Sequence, residues 1–295
     1  MWSRKRLDLG WRDLAYGAMR CVPPAGDDAE RRALAAWSGD DDSLACLSVR
    51  SGFDLLLGTL DLPPGSEVLV SAVTIPDMLE IIRAHELRAI PIDLTPATMA
   101  PQLDVMRRAI GPSTRAILAA HLFGGRIDLD PITDLAREHG LLLFEDCAQA
   151  YCGPGFRGHP QADVSMFSFG PIKSATALGG AVLRVRDADL RRAMQTRQAA
   201  YPVQSRGSFA RRIAKYACLK GLSAPGAFAI LLAVCRCAGF DADRLLNRSV
   251  RGFAKGELLS QLRRRPSAAL LALLERRLRR FDGVRLDRRA AASRK

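Results

Sequence analysis

From Glu67 onward, short apolar runs alternate with stretches whose apolar residues recur every three or four positions. Glu67–Ser71 predicts a strand, followed by a helix through Met78, Leu79, Ile81 and Ile82. Ala89–Asp93 predicts the next strand, and Leu103–Ile110 a helix with apolar positions at Leu103, Met106 and Ile110. Thr114–His121 reads as a strand and Leu129–His139 as a helix closed by Gly140. Leu141–Phe144 shows no polar alternation, so it should be buried on both faces, as in a parallel sheet. Val164–Phe169 and Ala181–Val185 add two strands. After Asp187 the pattern turns helical. Leu270, Leu271, Leu273, Leu274, Leu278 and Phe281 form one apolar face, with Ser267 as N-cap. Residues before about 45 are polar and mixed, with a loop at Pro23–Asp28.

Strands alternating with helices predict an α/β fold, a mostly parallel central sheet flanked by helices. Three regions are expected: an N-terminal segment, 1–45; a large domain, 46–190; and a helical, basic C-terminal part, 191–295. The chain has 295 residues, 48% of them hydrophobic, which is enough for a sizeable core. No charged-then-apolar leader opens it. The longest apolar run, Ala224–Cys235, contains Pro225 and Gly226 and is too short to span a bilayer. A buried helix is expected there, and no transmembrane segment. The seven cysteines form no CxxC pair, so reduced, mostly buried thiols and a cytoplasmic location are expected, with no metal site.

Charge divides the chain. Of the net +13, residues 196–295 hold 23 Lys/Arg against 6 Asp/Glu, or +17, which leaves −4 on the rest. A basic segment suits nucleic acid or an anionic membrane. The last 50 residues, however, hold only Phe253 and Phe281 as aromatics, few platforms for base stacking. Solvated arginine-rich helix faces, with no nucleic-acid partner, are the expectation.

The candidate chemistry lies where strands end. The run Leu141–Phe144 leads into Glu145, Asp146 and Gln149, and Val164–Phe167 leads into Ser168 and Lys173, followed by Gly179-Gly180. A carboxylate, a hydroxyl and a lone amine at successive strand ends are the parts needed to hold pyridoxal phosphate. The amine meets the aldehyde, and burial keeps it nucleophilic. The carboxylate keeps the ring nitrogen protonated, so the ring can act as an electron sink. The phosphate wants helix N-terminal N–H groups and hydroxyls, and Ser51-Gly52-Phe53-Asp54 opens a predicted helix. His121 at a strand end reads as a hydrogen-bonded structural histidine, and His159 as a surface residue.

The motifs in order are Ser51-Gly52, Gly65-Ser-Glu-Val68, Thr74-Ile75, Thr114-Arg-Ala-Ile117, His121-Leu-Phe-Gly124, Glu145-Asp-Cys-Ala-Gln149, Phe167-Ser-Phe-Gly-Pro-Ile-Lys173 and Gly179-Gly180. In this order and spacing the chain resembles the pyridoxal-phosphate-dependent sugar aminotransferases of the DegT/StrS type, which have the aspartate aminotransferase fold. The resemblance covers roughly residues 8–185 and implies roles for individual residues. Lys173 would bind the cofactor covalently and move the proton between substrate and cofactor. Asp146 would pair with the pyridine nitrogen and Gln149 would bond the ring hydroxyl side. Ser168 and the Gly52–Phe53 backbone would hold the phosphate. A homodimer is implied, as is transfer of an amino group from an amino acid such as glutamate to a nucleotide-linked keto-sugar, for amino-sugar or polysaccharide biosynthesis. Lys173 argues against the family's dehydratase branch, which has histidine there.

The chain also departs from the pattern. Phe53 replaces a threonine, and Ile75 an aromatic that would stack on the ring; Met78 is the substitute candidate. Arg251–Gly256 lacks an asparagine that would reach the partner's phosphate, and Lys255 could replace it. Family members continue past the helix at 268–281, so the C-terminal part is expected to be shortened. These departures carry the alternative reading, a truncated, catalytically impaired cofactor-binding homologue with a regulatory or relic role.

Overall fold

The computed structural model describes residues 7–22, 28–39, 41–224, 226–229, 233, 235 and 258–283. Most of the Ala224–Cys235 run, and Arg251–Gly256 with Lys255, lie outside the described residues.

A seven-stranded sheet forms the centre. Its strands are β1 (Ser43–Cys46), β2 (Glu67–Ser71), β3 (Arg88–Ile92), β4 (Thr114–Ala120), β5 (Leu142–Asp146), β6 (Val164–Ser168) and β7 (Ala181–Val185). They lie in the order β1-β7-β6-β5-β4-β2-β3. The pairs from β3 through β6 are parallel, and β7 is antiparallel to both β6 and β1. The predicted α/β class is therefore what forms. The expected β5 burial also holds at Leu143 and Phe144, which are 2% and 0% exposed.

Alternation along the strands feeds two cores, because successive side chains leave a strand on opposite faces. Val68, Val70, Ala116, Leu118, Phe144, Val164 and Met166 pack with α3 (Val49–Leu60) and α4 (Pro76–Ala84). Leu69, Ile117, Ala119 and Leu143 pack with α5 (Leu103–Ala109) and α6 (Asp130–Glu138). Helix α7 (Ala188–Ala199) lies beside α3.

The N-terminal segment is more ordered than its composition suggests. It forms α1 (Trp11–Met19), α2 (Ala29–Trp37) and the edge strand β1, which runs across the expected 45/46 boundary. These helices join α8 (Arg206–Leu222) and α10 (Ala268–Arg279) in a third apolar cluster that contains Phe167, Phe169 and Leu270. Ser267 caps α10, accepting from the Leu270 N–H. The short α9 (Leu258–Leu262) is tied to α3 by Asp54, a buried carboxylate that pairs with His85 Nε2 at 2.9 Å and Arg263 Nε at 3.0 Å.

Candidate active site

Asp146 ends β5 and Ser168 ends its parallel neighbour β6, so both emerge at the carboxyl edge of the sheet. Open α/β sheets bind their ligands at that edge. The chain then curls back, with the Lys173 N–H donating to the Gly170 carbonyl at 3.1 Å. A methyl group on Gly170 would lie 3.6 Å from Ser168 Oγ and 3.9 Å from Lys173 Cγ. The turn thereby sets the hydroxyl and the lysine stem side by side.

Lys173 and Asp146 share one field. Burial lowers the Lys173 pKa from its ordinary value; the Asp146 charge opposes the fall and the Arg50 charge adds to it. Burial raises the Asp146 pKa, against the pull of the Ala148 N–H and the Lys173 charge. The Ala148 N–H donates to Asp146 Oδ1 at 2.9 Å and fixes the carboxylate's orientation. Gln149 is exposed, and its Oε1 accepts from the Phe123 N–H at 3.2 Å, which ties it to the loop after β4.

Helix α3 starts at the same edge. Ser48 caps it, its hydroxyl accepting from the Ser51 N–H at 3.1 Å and its carbonyl from the Gly52 N–H at 3.0 Å. Glycine at position 52 lets α3 pack closely on β7, because a Cβ there would come within 2.6 Å of the Leu183 side chain and force it to shift. Phe53 points into the core, fully buried and edge-on to Phe144 at 6.4 Å. Met78 is also fully buried, packed with Ile81 and Ile82, while Ile75 is 50% exposed, so Met78 presents no surface to a ring.

Arg50, in the first turn of α3, pairs with Asp77 in the first turn of α4. Its charge reaches Lys173 and Arg212. Sequence reasoning passed over this residue. The available signal was a cation directly before Ser51-Gly52, at a helix start suited to an anion.

Beneath the edge lies a closed polar network. His121 Nε2 donates to Glu145 Oε1 at 2.7 Å, and the Ile127 N–H donates to His121 Nδ1 at 3.1 Å. Glu145 Oε2 accepts from the Ser165 hydroxyl at 2.6 Å and the His159 N–H at 2.8 Å. Gly158, with φ +88°, permits this approach, since a Cβ would lie 2.2 Å from Ser165 Oγ. His121 thus has the structural bonding expected of it. His159 is half-buried rather than a surface residue, its Nε2 2.9 Å from Asp130. Cys147 adjoins His121 and Glu145 closely enough for three ligand atoms to lie within 4.8 Å of one another. Burial pushes its thiol pKa well up, however, and both Glu145 oxygens are already engaged.

The loop carrying Lys173 is held from both chain ends. The Ala175 N–H donates to Asp8, Arg277 Nε to the Thr176 carbonyl at 3.1 Å, and Arg212 to the Leu178 carbonyl at 3.2 Å. Ala175 and Leu178 both have positive φ, 52° and 64°. Backbone strain of this kind persists only where the surroundings over-determine it.

The donor set fits pyridoxal phosphate: a buried lysine within the field of a strand-end carboxylate, a strand-end hydroxyl, a helix N-terminus and a guanidinium. A model of the DegT/DnrJ/EryC1/StrS aminotransferase family matches residues 27–214. The chain belongs to this family. The L-glutamine:scyllo-inosose aminotransferase of Streptomyces griseus is 39% identical to it over 109 residues, 35% of this chain and 26% of that enzyme. The dTDP-3-amino-3,4,6-trideoxy-alpha-D-glucose transaminase of Streptomyces venezuelae is 40% identical over 102 residues, 32% of this chain and 27% of that enzyme. Among solved structures, the sugar aminotransferase CalS13 from Micromonospora echinospora superposes with a TM-score of 0.58 at 26% identity. That superposition covers 67% of this chain and 57% of CalS13. The matches to the curated relatives thus span about a quarter of their length.

Proposed function

We propose that this family member is a pyridoxal-phosphate-dependent sugar aminotransferase that moves an amino group from an amino acid such as glutamate to a keto-sugar carried on a nucleotide. The observation that carries this reading is the placement of Asp146 and Ser168 at the ends of the neighbouring parallel strands β5 and β6, with Lys173 on the turn that follows β6 and its charge acting on Asp146. Family membership supports the cofactor. When bound, the cofactor supplies an aldehyde and an electron-poor ring that stabilises negative charge on the amino acid's α-carbon.

The residues divide the work. Lys173 Nζ, lowered in pKa by burial, holds the cofactor covalently and then takes and returns the α-proton. The Asp146 carboxylate holds the proton on the ring nitrogen. Gln149 borders the ring hydroxyl side. Ser168 and the first turn of α3, with the Gly52–Phe53 backbone behind it, take the phosphate, and Arg50 adds charge there. A homodimer belongs to this reading. Ile75, Phe123 and Ile172, at 50%, 75% and 66% exposure, follow β2, β4 and β6 and rim the site with apolar surface that a second copy would cover. So does a cytoplasmic location.

The inward turn of Phe53 and outward turn of Ile75 favour a second reading, a cofactor-binding but catalytically idle homologue. Adding glutamate to the cofactor-loaded protein separates the two. Loss of the visible band, with the pyridoxamine form accumulating, supports the enzyme; an unchanged band supports the idle homologue.

A further inference from the structure

Arg277, in the last turn of α10, directs every nitrogen of its guanidinium at the Lys173 loop or the start of the chain. Nε donates to the Thr176 carbonyl at 3.1 Å, Nη1 to Asp13 Oδ2 at 3.0 Å and Nη2 to Asp8 Oδ2 at 3.0 Å. Asp8 Oδ2 also accepts from the Ala175 N–H at 3.2 Å. The Ala175 N–H and the Thr176 carbonyl, just past Lys173, are therefore both tied to one side chain, the first through Asp8 and the second directly.

That side chain stands on a rigid base. Ser267 caps α10, and Leu270, Leu273 and Leu274 bury its inner face in the cluster that contains Phe167 and Phe169. The far side of the loop is fixed as well. The Phe169 carbonyl accepts from the Ala177 N–H at 3.0 Å, the Gly179 N–H at 3.2 Å and the Thr176 hydroxyl at 3.3 Å. Between these fixed points Ala175 is held at φ 52°, a left-handed conformation that a residue with a Cβ leaves when it is free to. Loss of the Arg277 ties would let Ala175 relax and turn the backbone at Lys173 with it.

We propose that Arg277 is a positioning residue for Lys173: acting with Asp8 through Ala175 and Thr176, it holds the lysine stem beside Ser168 and keeps the amine in its buried position. Arg276 supplies the contrast. It pairs with the same Asp13, at 2.8 Å, and its guanidinium lies 4.7 Å from the centre of the Tyr16 ring. Among the described residues it bonds no atom of the loop. The state of the loop can be read at the amine itself. Burial lowers the Lys173 pKa, the Asp146 charge opposes this and the Arg50 charge adds to it. A loosened loop moves the amine toward water and its pKa back toward the ordinary lysine value.

Pulse labelling of the full, cofactor-free chain with acetic anhydride across a pH series, read by peptide mass mapping, tests this. Circular dichroism checks that each variant is folded. Arg277→Lys keeps the charge but loses the fork, and its Lys173 labelling midpoint should rise toward the ordinary lysine value. Asp8→Ala, which leaves both arginines paired with Asp13, should shift the midpoint the same way. The double variant should add little to either, because both changes break one linkage. Arg276→Lys should label as wild type. A second readout rests on the aminotransferase reading: in Arg277→Lys, kcat should fall about 100-fold, the scale of a misplacement of about 1 Å, with KM for the amino donor within about twofold. Wild-type protein that takes up no cofactor would count against that reading alone, and the labelling would still decide this one. The proposal is overturned if Lys173 keeps its wild-type midpoint in Arg277→Lys and Asp8→Ala, or if Arg276→Lys shifts it as far, which would make the effect one of general stability.

Discussion

Glu145 Oε1 and His121 Nε2 lie 2.7 Å apart at the ends of adjacent parallel strands, both closed to solvent. With the Ile127 N–H on Nδ1, the ring proton belongs on Nε2, facing the carboxylate. Glu145→Ala would leave the His121, Ser165 and His159 donors unmet. The expected loss is roughly 3–5 kcal/mol, read from urea denaturation at neutral pH.

The same residue sets an acid limit. Burial alone would raise the Glu145 pKa, but hydrogen bonds from His121, Ser165 and His159 outweigh it and leave the pKa lowered. A carboxylate depressed on folding stabilises the protein above its unfolded pKa and ceases to do so as pH falls through the folded value. Wild-type stability should therefore drop below about pH 4, and that drop should be shallower in Glu145→Gln. Denaturation midpoints across an acid series check this.

Phe53→Thr restores the family's usual residue, yet the side chain at 53 faces Phe144 rather than the sheet edge. The substitution should destabilise by about 3 kcal/mol, mostly by opening a cavity. It should leave the cofactor dissociation constant within twofold. A substantial gain in affinity would show that position 53 reaches the phosphate after all.

Arg50→Ala should raise the dissociation constant for pyridoxal phosphate roughly tenfold, the scale of one charge-assisted contact. Binding of pyridoxal, which lacks the phosphate, should not change. Equal losses for both ligands in fluorescence titrations would assign Arg50 to the fold instead, through Asp77.

The sheet was legible in the sequence because its strands are short, apolar and doubly covered, and the structure places β2 and β7 at the predicted residues. Strand β1 and helices α1 and α2 were not. Ser43–Cys46 has only four residues, and α1 carries apolar residues on its outer face as well, which blurs its period. Asp146, Ser168 and Lys173 were legible as polar residues ending apolar runs. The ties from Asp8, Arg212 and Arg277 to the Lys173 loop span distant parts of the chain, so no local pattern could announce them.

The central claim rests on Lys173. Incubation with pyridoxal phosphate, borohydride reduction and peptide mass mapping should find the reduced cofactor on the peptide containing Lys173, and none on that peptide in Lys173→Ala. Wild-type protein that takes up no cofactor, or carries it on another lysine with Lys173 unmodified, would contradict the account.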